Sequence, residues 1–181
     1  IFKSTVLGSV ILISTQIVAQ KKNETSAAVA YKNTYSLAMG KNNIEGAKKA
    51  LLDAKTYVDL AAENSETQNS PKTLWLKGEI YSNLFLFGNN TGDSVLIKEE
   101  NNLLTNSISA FKTGFDSHEK FDGDIKESIY KIHSGLENIS RDLYEASNFK
   151  DAARFFNRQA EFLSIINVLD SNSLFNAALC Y

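Results

Sequence analysis

The chain has 181 residues, 43% of them hydrophobic and 22% charged, which excludes general disorder and leaves room for one domain with a sizeable core. One proline and nine glycines are too few for the many turns of a sandwich or barrel, so long helices with few corners are expected. Nineteen basic against twenty-one acidic side chains give a net charge of −2, with no basic stripe to hold nucleic acid.

Residues 1–19 read as a secretory signal peptide. Lys3 is followed by an apolar run from Val6 to Val18, and the small Ala19 precedes the polar Gln20-Lys21-Lys22. The run is shorter than the ~20 residues a membrane-spanning helix needs. Cleavage after Ala19 is therefore expected, leaving a periplasmic or secreted protein over 20–181 with no membrane span; a retained anchor is the alternative. With Ile1 instead of methionine at the front, a true start further upstream is expected.

From Ser26 the apolar spacing is helical. Ala27, Ala30, Tyr31, Tyr35 and Ala38 predict a first helix ended by Gly40-Lys41-Asn42-Asn43, and Ile44 to Ala62 a second. A polar loop over 63–69 leads to Ser70-Pro71, a cap followed by the residue best suited to a first helical turn. The third helix carries Leu74, Trp75, Ile80, Tyr81, Leu84 and Phe85 and is expected to end in Gly88-Asn89-Asn90-Thr91-Gly92. A fourth opens at Asp93 or Ser94 and runs through Phe111 to Phe115, with Asp122-Gly123-Asp124 as the next corner. The fifth spans Ile125 to Leu143, the sixth Phe149 to Leu163, and a seventh begins near Ser171 and is still in pattern at Tyr181.

The stretch from Leu136 to Phe162 resembles a tetratricopeptide repeat, whose two helices follow W-x2-L-G-x2-Y and A-x3-F. Leu136, Ile139, Ser140 and Leu143 fill the first half, Ala152 and Phe156 the second, and Ser147-Asn148-Phe149 the corner between them. Leu74, Lys77, Gly78 and Tyr81 repeat the first half, with Ser107 and Phe111 as the second-helix pair after an insertion. Ala47, Leu51 and Ala54 match a second helix, although Tyr35 stands where its partner helix should carry a small residue. Asn172 to Tyr181 looks like the opening helix of a fourth repeat, so the chain is expected to continue beyond Tyr181. The leading residues Tyr31, Leu74, Leu136 and Leu174 stand 43, 62 and 38 positions apart, against about 34 in a regular array. The resemblance implies an all-α, irregular tetratricopeptide-like solenoid of helix-turn-helix repeats, with an irregular helical bundle as the alternative.

No catalytic motif, phosphate-binding glycine loop or metal-binding pattern stands out, so no cofactor, metal or small-molecule substrate is expected and the chain reads as no enzyme. Cys180 excludes an internal disulfide, and its apolar setting reads as packing. The acidic corner Asp116 to Asp124, which includes His118, lacks the ligand alternation of a calcium loop. His133 lies one helical turn from Glu137, a pair that reads as surface decoration. Trp75 either faces a groove or packs between helices. By the resemblance, first helices line a concave face, which assigns Lys32, Asn33, Ser36, Trp75, Glu79, Asn83, Asn138 and Arg141 as readers of a peptide or protein partner. The functional expectation is a non-catalytic scaffold in the envelope of a Gram-negative bacterium. The alternative is the N-terminal repeat region of a larger envelope enzyme or cell-wall-anchoring protein whose active domain lies beyond residue 181.

Overall fold

The computed structural model describes residues 22–117 and 119–181, all helix, turn and loop, with no strand among them. The proposed signal segment, its cleavage point and His118 lie outside the described residues. Eight helices follow in order: α1 (22–40), α2 (Ile44–Ala62), α3 (Pro71–Thr91), α4 (Ser94–Lys98), α5 (Glu100–Ser117), α6 (Asp122–Glu145), α7 (Phe149–Ile165) and α8 (Ser171–Leu179). They pack as antiparallel pairs. The described residues divide between Ile80 and Tyr81 into two compact units.

In the first unit α1 lies against α2 along alanines: Ala27, Ala30 and Ala38 on one helix and Ala47, Ala50, Ala54 and Ala61 on the other are all buried. Small side chains let two backbones approach closely, and Leu51 and Val58 fill what remains. The α1 helix is not uniform, because Val29–Tyr35 forms a π-helical segment that the three-and-four spacing does not announce. Tyr35 lies in it, half-buried and stacked on Tyr31 with ring centroids 5.8 Å apart. The loop before α3 is tied down by the Thr67 hydroxyl, which donates to the Ala61 carbonyl at 2.6 Å. Ser70 then caps α3 by accepting from the Thr73 N–H at 3.1 Å, and both hydroxyls donate to Glu24 of α1.

In the second unit the core is built from large residues, among them Leu84, Phe85, Leu104, Phe111, Ile125, Ile129, Ile132, Leu136 and Phe162, each at most 2% exposed. Two expectations change here. Gly88 does not end α3: the helix runs on to Thr91, and only Gly92, at φ +69°, turns the chain. Gly88 is instead buried where a Cβ would stand 2.6 Å from the Cβ of Leu96, so it is a packing glycine that lets α4 close on α3. Asp122-Gly123-Asp124 is not a corner but the first turn of α6, where two carboxylates complement the positive end of the helix. The turn comes one step earlier, in the short 3₁₀ segment Glu119–Phe121. The fourth helix is also interrupted at Glu99, and Asp93 caps its short first piece by accepting from the Val95 and Leu96 N–H groups.

Two corners are built alike. Between α1 and α2, Asn42 takes φ +53°, the Asn43 N–H donates to the Ala38 carbonyl at 2.9 Å, and the Asn43 side chain accepts from the Gly46 N–H. Between α6 and α7, Ser147 takes φ +58°, the Asn148 N–H donates to the Leu143 carbonyl at 2.9 Å, and the Asn148 side chain accepts from the Asp151 N–H. Ala47 and Leu51 follow the first corner as Ala152 and Phe156 follow the second, and all four are buried. A left-handed residue closing one helix and an asparagine opening the next satisfy the end carbonyls and the first N–H groups in five residues. The α7–α8 corner repeats the left-handed step at Asn167, φ +59°, and Asp170 caps α8 from the Ser173 N–H at 3.0 Å.

Candidate functional site

Helix α6 is the centre of the second unit's most developed surface. It pairs with α7 along one side, and α7 in turn carries α8, so that α6 and α8 form the two walls of a groove floored by α7. A row of buried polar side chains crosses that floor. Gln159 of α7, 1% exposed, donates from Nε2 to the Ser140 hydroxyl of α6 at 2.7 Å and accepts at Oε1 from the Ser173 hydroxyl of α8 at 2.9 Å. Ser140 passes its own proton to the Glu137 carbonyl at 3.0 Å. The small Ser140 therefore also supplies an acceptor for the Gln159 amide in the floor. A satisfied buried network of this kind fixes the register of the helices that contribute to it.

At the groove's end the His133 ring donates from Nε2 to Asp170 Oδ2 at 2.8 Å. Asp170 is the residue that caps α8, so the same carboxylate holds the helix end with one oxygen and α6 with the other. Burial raises its pKa, but hydrogen bonding from Ser173 and the His133 ring outweighs burial and holds the carboxyl below its ordinary range. This replaces the expected pairing of His133 with Glu137. The Ser173 hydroxyl donates to Gln159, not to the imidazole.

The groove encloses about 400 Å³. Tyr144, Phe156 and Leu179 supply apolar wall, while Glu137 and Arg141 on α6 face Asn172 and Asn176 on α8 along the rim. On the other flank of α6 a more open hollow of about 430 Å³ lies between Asn138 and Asp142 of α6 and Leu86, Asn89 and Asn90 at the end of α3. The Arg141 guanidinium donates to Asn138 Oδ1 at 2.9 Å, which joins the two depressions across the exposed side of α6. Gly135 permits this approach, because a Cβ there would strike the Leu86 side chain.

The predicted site residues divide between the two units. Arg141 and Asn138 stand in the groove region just described, and Asn83 is half-buried on α3. Lys32, Asn33 and Ser36 are exposed on α1. Trp75, 6% exposed, lies beneath the Lys32 ammonium, which sits 4.3 Å from its ring centre. Glu79, also 6% exposed, accepts from the Tyr31 hydroxyl at 2.6 Å. Burial first and the Glu79 carboxylate second push the Tyr31 phenol well above its usual range, so it stays a neutral donor. Lys32, Trp75 and Glu79 thus come together with Tyr31, but with Trp75 and Glu79 buried beneath the exposed Lys32. Sequence reasoning missed Gln159, Ser173 and Asp170; a signal was present only for the last, since Asp170-Ser171-Asn172-Ser173 is a capping pattern.

Cys180 is half-buried against Ala152, Phe156 and Ala177. Among the described residues no three His, Cys, Asp or Glu side chains are grouped to hold a metal ion, and no helix is long and apolar enough to cross a membrane. Compared with family models, curated proteins and solved structures, the chain finds no match.

Proposed function

We propose that this chain is a non-catalytic scaffold of the bacterial cell envelope that holds a peptide or a segment of a partner protein on the α6–α8 side of a tetratricopeptide-like helical array. The observation that carries the reading is the groove itself. Its floor is a closed hydrogen-bonded row, whereas the side-chain amides of Asn172 and Asn176 on its rim make no hydrogen bond among the described residues. Uncommitted amides beside an apolar wall suit a ligand that brings both main-chain polar groups and apolar side chains. The two like corners, each followed by buried Ala and a bulkier residue, support the solenoid part of the proposal. Export with cleavage after Ala19 belongs to the same reading and rests on the apolar run at the front of the chain.

The test is selection of a displayed library of random twelve-residue peptides on the purified chain. Peptides selected on the parent should lose about tenfold or more in affinity on an Arg141→Ala, Asn172→Ala double variant that melts like the parent. Arg141 is exposed and bonded only to Asn138 at the surface, so its removal should shift stability by no more than about 0.5 kcal/mol. A library that yields no binders, or binders indifferent to the double variant and to a groove-filling Asn176→Trp, would refute the proposal.

A further inference from the structure

Helix α8 is lightly buried over Ser171–Leu179. Of its nine residues only Ser173 and Ala177 are buried, while Leu174, Phe175 and Leu179 are 43%, 63% and 59% exposed. Its fully buried apolar contact is Ala177, with Cys180 beside it, on Ala152 and Phe156 of α7. One alanine side chain buries little, so polar bonds carry much of the attachment. Two do so: Ser173 to Gln159 on α7, inside the floor, and Asp170 to His133 on α6, across the end of the groove. Only the second joins the two walls directly, and its Asp170 side chain is 9% exposed, which strengthens a charge-assisted bond.

We propose that α8 is a latched wall: the bond from His133 to Asp170 holds α8 against α6 and thereby sets the width of the groove. When the bond breaks, α8 opens as a local unit about the left-handed corner at Asn167, while α6 and α7 stay packed. A ligand spanning Glu137 and Arg141 on one wall and Asn172 and Asn176 on the other would bridge the same two helices and keep the wall closed. That coupling rests on the groove being the binding surface; the latch does not, and is tested without any ligand.

The experiment is amide hydrogen exchange on the full chain, comparing the amides of 174–179 with those of 128–136 in α6 and 155–163 in α7. His133→Leu removes the donor and leaves the Asp170 cap in place. It should accelerate exchange in α8 by about tenfold or more, the scale of a lost bond to a charged group, and change α6 and α7 by less than about twofold. His133→Gln, whose amide nitrogen reaches about as far as the imidazole Nε2, should recover part of the protection. Asp170→Asn keeps a capping oxygen but not the charge, and should open α8 as well. Unchanged exchange in α8 of His133→Leu would overturn the latch. So would equal acceleration in all three helices, or loss of folding in both His133 variants, because each makes His133 a general packing residue. Peptide selection that fails while α8 opens as described would remove the ligand coupling and leave the latch standing.

Discussion

Substituting alanine for Gly88 adds one methyl group where the structure has no space for it. The new Cβ would lie 2.6 Å from the Cβ of Leu96, with the Leu96 carbonyl carbon at 3.5 Å and the Ile97 nitrogen at 3.6 Å. Carbon atoms in contact prefer about 3.5–4.0 Å, so the two must separate by about 1 Å. No rotamer change moves a Cβ, so the backbone of α4 must shift. That helix is held by the Asp93 cap, and Asp93 in turn donates from its N–H to the Gly88 carbonyl at 2.9 Å. Overpacking of this kind costs about 1–3 kcal/mol, and the better helix propensity of alanine returns about 1 kcal/mol at most. The expected net loss is about 1 kcal/mol, a fall of about 2–4 °C in Tm for a chain of this size. Thermal and urea unfolding followed by circular dichroism would measure it, with Gly123→Ala as the internal comparison. Gly123 is helical, exposed and has nothing within 4 Å of its would-be Cβ, so the same chemical change there should stabilise by a few tenths of a kcal/mol. If Gly88→Ala melts at or above the parent, the reasoning that makes it a packing glycine is refuted.

Gln159→Leu should destabilise the chain by about 1–3 kcal/mol, because it strands the Ser173 hydroxyl in the floor and removes the donor that Ser140 accepts from; a loss below about 0.5 kcal/mol in urea titration would show that network to be dispensable. Asp170→Ala should cost about 1 kcal/mol or more at neutral pH through the lost cap and the lost His133 bond. Its folded pKa is depressed, so the contribution is present above the unfolded carboxyl value of about 3.9 and disappears as pH falls through the folded value. The deficit of Asp170→Ala, followed by urea unfolding from pH 7 down to the acid limit of folding, should therefore shrink at the acid end; a deficit that grows there has the wrong sign. Mass spectrometry of the protein recovered from an expressing Gram-negative bacterium should give Gln20 as the first residue, and a first residue upstream of Ala19 would count against export by cleavage.

Much of the fold was legible in local order, because helix period and end chemistry depend on residues within one turn of each other. Ile44 to Ala62 and the start at Ser70-Pro71 could be placed this way, and Leu136, Ser140, Ala152 and Phe156, which keep helical spacing, are buried. The misreadings were of residues whose local meaning is ambiguous. Glycine ends helices and also admits close neighbours, and nothing near Gly88 in the chain says that Leu96 will fold back onto it. Aspartate, glycine and aspartate suit a loop as well as a first helical turn, and packing of Ile125 chose the turn.

The candidate site was less legible, and for a physical reason. Its bonds join residues far apart in sequence: His133 to Asp170, Ser140 to Gln159, Lys32 over Trp75 and Tyr31 to Glu79. Periodicity tells which side of a helix is apolar, but not which residue of a neighbouring helix will meet it, since that depends on where each corner stops one helix and starts the next. The amino-acid sequence by itself determined that the described residues are helical, where most helices begin, and that Leu136, Ser140, Ala152 and Phe156 would be buried, although Phe149 and Leu174 of the same pattern are exposed. Only the tertiary structure decided that a glutamine and two serines close a groove floor, that Trp75 lies under a lysine, and that one aspartate both caps α8 and holds it to α6. The first set rests on interactions within a turn of helix, and the second on side chains brought together only when separate helices pack.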